Sequence, residues 1–111
     1  MSFLALASQK SLLNLRKSFL ELQKISIQNR IEAAQSQMAY IERMHSDDDS
    51  WDQDNDANYQ YYEQLDSSLT TEADSLDSQL SVLQNDISSL KTLVNNNIKT
   101  SCTMNISGGG S

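Results

Sequence analysis

From Tyr59 to Asn97 the chain repeats with a period of seven: Tyr59, Asp66, Ala73, Leu80, Ile87 and Val94 at one position and Tyr62, Leu69, Leu76, Leu83, Leu90 and Asn97 at the other. A spacing of alternately three and four residues puts both sets on one narrow stripe of an α-helix, and no β-strand can present them on one face. The first half carries the same repeat in Leu6, Leu13, Leu20, Ile27, Ala34 and Ile41, joined by Ile31 and Met38. With no proline and only 3 glycines in 111 residues, the chain lacks the punctuation of a turn-rich β fold.

Two periodic segments, about 40 residues and roughly 60 Å each, flank one polar break. The expectation is an all-α fold, a long antiparallel two-helix coiled-coil hairpin over residues 1–100: helix 3–45, acidic loop 46–58 and helix 59–99. Folding the chain near Trp51 sets Leu13 beside Leu90, Leu20 beside Leu83, Ile27 beside Leu76, Ala34 beside Leu69 and Ile41 beside Tyr62. The aromatic residues Trp51, Tyr59, Tyr61 and Tyr62 then plug the last core layer, His45 packs on the seam opposite Tyr59, and Met38 and Met44 fill the core. Beyond the Asn95, Asn96, Asn97 run, residues 101–111 read as a flexible tail, and its closing SGGGS looks like a linker.

One helix partner does not account for helix one. Lys10, Lys17 and Lys24 occupy its other seam position, while Leu12, Leu15, Phe19 and Leu22 form a second apolar stripe well round the helix. A two-helix contact buries only a narrow seam, so this stripe is the candidate surface for self-association into larger helical bundles. A bundle of two hairpins and a higher assembly, tube or filament, both satisfy it. A partner helix from another protein would also fit the stripe.

The loop carries a second pattern. In DQDNDANYQYYE, residues 52–63, Asp52, Asp54, Asp56, Asn58, Gln60 and Glu63 fall at positions 1, 3, 5, 7, 9 and 12 of an EF-hand-like calcium loop. Carboxylates at these spacings are the hard oxygen donors that calcium prefers. Ala57 stands where the sharp turn needs glycine, and Tyr59 where a branched aliphatic residue is usual. Six Asp between residues 47 and 56 also produce alternating acids readily. The competing reading is a solvated acidic turn whose Asp56 or Asn58 caps helix two. The reading of the loop expects no cofactor and keeps calcium at Asp52, Asp54, Asp56, Asn58 and Glu63 as the alternative.

Composition narrows the function. A net charge of -7 with only 8 Lys and Arg disfavours nucleic acid and anionic membrane surfaces. The opening MSFLALASQK has an apolar run too short to span a bilayer or to serve as a cleaved signal, so no membrane insertion is expected. The lone Cys102 cannot form an internal disulfide, and the single histidine, His45, lies at the opposite end of the hairpin from it. Catalysis is therefore not expected.

The exposed positions are rich in Ser, Asn, Gln and Asp, as in SQKSLLN, IQNRIEAAQSQ and DSSLTTEADSLDSQLS. In this composition, in length and in lacking proline, the chain is similar to small bacterial α-helical subunits exported without a cleaved signal: flagellin-like cores, needle and filament proteins, and WXG100 hairpins. The likeness is one of architecture and composition, since Trp51 is followed by Asp52 and Gln53 and not by the X-Gly of that turn. It implies a non-enzymatic, self-assembling structural protein, a homo-oligomer secreted or held at the cell surface as a filament, tube or appendage subunit. The alternatives are a cytoplasmic helical adaptor or chaperone that holds a partner helix, and a calcium-responsive module through residues 52–63.

Overall fold

A computed structural model describes residues 2–107, with side chains described as far as Lys99. Helix α1 spans Phe3–Met44, a single 3-10 turn spans Gln53–Asn55, and helix α2 spans Ala57–Ser107. The fold is all-α, a helical hairpin.

Each helix starts on a side-chain cap. The Ser2 hydroxyl accepts from the Ala5 backbone N–H at 3.2 Å while the Ser2 carbonyl takes the first helical bond from Leu6. At α2 the Asp56 carboxylate accepts from the Tyr59 backbone N–H at 2.9 Å, and its carbonyl accepts from Gln60. Helix α2 therefore begins at Ala57, two residues before the boundary expected from the heptad, because the cap is Asp56. Its other end also differs from expectation. Residues 101–107, read as tail, continue the helix. The Asn and Ser residues there are poor helix formers, but no proline or glycine interrupts the hydrogen-bond ladder before Gly108. The remainder of the linker-like end, 108–111, lies outside the described residues.

The chain divides into two compact units. In one, the first part of α1 to residue 20 packs against α2 from residue 79 onward. Leu6, Leu90 and Val94 form a buried cluster there, with Leu13 packed against it, in the expected antiparallel register. Leu20, Leu83 and Ile87 are also buried in this unit.

The second unit, residues 21–78, contains the hairpin turn. Its buried side chains are Ile27, Ala34, Tyr59, Leu69, Ala73 and Leu76. Polar contacts across the two helices fix the same register: Gln35 donates to Asp66 at 3.4 Å, the Tyr59 hydroxyl donates to Glu42 at 2.9 Å, and the Lys24 ammonium pairs with Asp77. Lys10, Lys17 and Lys24 are each half-buried. Their aliphatic stems cover the seam while the ammonium groups reach its edge, so lysine is tolerated at a core position.

The burial pattern follows the heptads. On α2 every position from Tyr59 to Asn97 named above is buried or half-buried, Asp66 and Asn97 among the half-buried. The Ser- and Thr-rich outer surface has a local explanation. Thr71, Ser78 and Thr92 each donate their hydroxyl to the carbonyl four residues earlier, at Ser67, Asp74 and Ser88. Such hydroxyls are satisfied by their own helix and need no partner.

Candidate functional site

The stripe Leu12, Leu15, Phe19 and Leu22 lies on α1, and all four side chains are exposed by 60 to 68%. At 100° per residue they sit on the side of the helix facing away from Lys10, Leu13, Lys17 and Leu20, which face α2. The positions around the stripe are short and uncharged, Ser8, Ser11, Ser18 and Ser26, with Gln9, Arg16 and Gln23 along the other border. Ile25, exposed by 53%, extends the apolar surface on the serine side. Burying a leucine fully is worth about 1.5–3 kcal/mol, so this face carries a substantial unrealised association energy.

The hairpin turn is held by its own acids. Asp48 accepts from both the backbone N–H and the hydroxyl of Ser50, at 3.0 and 2.5 Å. These bonds, the hydroxyl first, hold its carboxyl below the usual 3.8. Asp52 caps the 3-10 turn, accepting from the Asp54 backbone at 3.0 Å and from the Asn55 side chain at 2.9 Å. Asp56 takes the Tyr59 backbone N–H and the Trp51 indole N–H, the latter at 3.0 Å. Those two bonds, in that order, lower its carboxyl likewise. The turn needs no glycine because Asp side chains close it.

Aromatic rings cover the end of the core. The Trp51 indole stacks on the His45 imidazole with centroids 5.0 Å apart and planes 3° apart, and meets the buried Tyr59 ring edge-on at 5.8 Å. Accepting the Tyr59 proton, Glu42 raises that phenol above its usual 10.0, aided by burial. Two details depart from the expected plug. Tyr61 is exposed and packs its ring against Tyr62, and Met44 is exposed while Met38 is half-buried. Both exposed residues fall off the seam's alternation of three and four, which runs through Ile41, His45, Tyr59 and Tyr62.

His45 sits between two carboxylates, its Nδ1 4.0 Å from Asp48 and its Nε2 3.8 Å from Asp56. With Ser50 nearby, this superficially resembles a hydrolytic trio, but the order is wrong. The Ser50 hydroxyl gives its proton to Asp48 and not to the imidazole, so the base that would activate it is not its partner.

The calcium-like spacing is dispersed. Asp52 precedes the 3-10 turn, Asp54 lies within it, Asp56 ends it, and Asn58 and Glu63 lie on α2. Glu63 accepts from Gln60 at 3.3 Å, while Gln60 also donates to the Gln53 carbonyl at 3.1 Å. Among the described residues no three His, Cys, Asp or Glu side chains gather in a metal-holding group. Ala57 opens the helix at the position where a calcium loop would turn back.

Among the described residues no helix is long and apolar enough to cross a membrane. No protein family, curated protein or solved structure matches the chain.

Proposed function

We propose that this protein is a non-enzymatic structural subunit that associates with copies of itself through the outer face of α1, as a secreted filament, tube or appendage subunit of a bacterium. The observation that carries the reading is the exposure of Leu12, Leu15, Phe19 and Leu22 on a helix whose opposite face is already packed. A contiguous apolar stripe on a soluble face marks an association surface. A two-helix hairpin also has little core of its own, which makes association a source of stability. The Ser-, Asn- and Gln-rich exterior supports a structural role, being the composition in which the chain is similar to exported helical subunits.

The test is replacement of Leu15 and Leu22 together by Glu. Helix content should be unchanged, because the seam through Leu13 and Leu20 is untouched, and the larger species expected of the natural chain in sedimentation should be absent. A double variant that assembles at the same concentration as the natural chain would remove this face as the interface.

A further inference from the structure

The hairpin turn brings the chain's only histidine and only tryptophan together. His45 follows the last residue of α1, its backbone N–H donating to the Ile41 carbonyl at 3.3 Å. Its ring stacks flat on the Trp51 indole, and each ring nitrogen faces a carboxylate, Nδ1 at 4.0 Å from Asp48 and Nε2 at 3.8 Å from Asp56. All four residues belong to the compact unit 21–78. A neutral imidazole carries one N–H, so one of its nitrogens must turn a lone pair toward a carboxylate, whereas an imidazolium donates on both sides. We infer that the turn is a pH-responsive clamp: protonated His45 ties Asp48 of the loop to Asp56 at the start of α2, and holds the closed end of the hairpin more firmly in mild acid than above neutral pH.

The surroundings suit that role. Asp48 is held below the usual 3.8 by the Ser50 hydroxyl and backbone N–H, and Asp56 by the Tyr59 backbone N–H and the Trp51 indole. Both carboxylates are therefore still ionised in the range where a histidine takes up its proton. The two gaps exceed a hydrogen bond by only about 1 Å, so a small inward movement of the side chains closes both. The indole under the ring, with centroids 5.0 Å apart, is within reach of a cation–π contact. The last turn of α1 contributes Glu42, whose carboxylate already takes the Tyr59 hydroxyl, and Arg43, whose cation opposes the clamp. The other loop acids, Asp47, Asp49, Asp52 and Asp54, add to the negative field. From α2, the Tyr59 phenol is raised above its usual 10.0 by the Glu42 bond and stays neutral throughout.

The sign follows from the partners. Stability from the clamp is present while His45 is protonated and is lost as pH rises through its titration. The His45 side chain is 37% exposed and that of Asp48 50%, so solvent screens the pairs and the effect is modest. The position of His45 at the C-terminal end of α1 supplies a competing cause, because the helix dipole favours a cation there without any carboxylate.

The clamp acts within one chain, so it is tested at a dilution where association plays no part. Between about pH 5.5 and pH 7.5 histidine is the side chain that changes charge. Circular-dichroism melts of the natural chain should show a melting temperature roughly 2–6 °C higher at the lower pH, a difference that narrows in high salt. His45→Gln should abolish it. Asp48→Asn with Asp56→Asn keeps a side-chain acceptor for Ser50 and for the Tyr59 N–H but removes both charges, and should reduce the difference by at least half. An undiminished difference in that double variant would overturn the clamp in favour of the helix dipole, and no difference in the natural chain would overturn it outright. Emission from Trp51, the sole tryptophan, gives a reading that needs no variant. It should fall in a single step on acidification, as an imidazolium held on the indole face quenches it; a rise, which marks release of the ring, would contradict the inference.

Discussion

Truncating one leucine in the seam and one on the outer stripe should separate folding from association. Leu69 is 2% exposed and lies in the same layer as Ala34, also 2% exposed. Alanine at position 69 leaves a cavity that a small neighbour cannot fill, so Leu69→Ala should cost about 2–5 kcal/mol of folding stability. For a chain this size each kcal/mol lowers the melting temperature by roughly 4–8 °C, so a fall of at least about 8 °C is expected at every protein concentration. Leu15 is 68% exposed in the single chain, and truncating it should leave the dilute-limit melting temperature within about a degree. Its loss appears in association instead. About two-thirds of a leucine's burial energy, some 1–2 kcal/mol, is forfeited for each Leu15 the contact buries, which weakens association roughly five- to thirty-fold per leucine lost. Circular-dichroism melts over a range of concentrations measure both quantities. Equal effects of the two substitutions on the dilute-limit melt would refute the division of α1 into a packed face and a free face.

The hairpin register predicts that cysteines at Leu20 and Leu83, in a Cys102→Ser background, oxidise within one chain; exclusively intermolecular products would contradict the antiparallel pairing. Asp48 and Asp56 are held below their usual value, so their contribution to stability is complete above about pH 4 and is lost as pH falls through the depressed values. Asp56→Asn keeps a capping side chain but should flatten the acid limb of the stability profile, and an unchanged acid limb would show that the Tyr59 and Trp51 bonds contribute nothing. Calcium and magnesium should act alike as screening ions, with no saturable heat in calorimetry, because the Asp52 and Asp56 carboxylates already serve as caps. Saturable micromolar calcium binding that is lost in Glu63→Gln would refute this.

What could be read from the sequence was whatever depends on period. The alternation of three and four residues specifies which side chains share a helix face, so the two helices, the seam from Leu6 to Val94 and the surplus stripe at Leu12, Leu15, Phe19 and Leu22 were all legible before any coordinates. The turn was legible only as alternatives. Asp52, Asp54 and Asp56 fit a calcium loop by spacing and a capped turn by composition, and spacing cannot tell which donors an oxygen meets. In the folded chain the Asp52 and Asp56 oxygens meet backbone N–H groups and, at Asp56, the Trp51 indole. The stacking of Trp51 on His45 depends on how the loop crosses the helix ends, which no local pattern encodes. The far end of α2 was misjudged for a simpler reason. Low helix propensity at Asn95 to Asn97 weakens a helix without breaking it, and the first true breaker is Gly108.

Sedimentation equilibrium of the unmodified chain over a wide concentration range, with negative-stain images of the most concentrated samples, tests the central claim most directly. The account predicts a mass that rises with concentration from one chain to two and beyond, and the rise should be absent in the Leu15→Glu, Leu22→Glu variant. A constant mass of one chain throughout would contradict it.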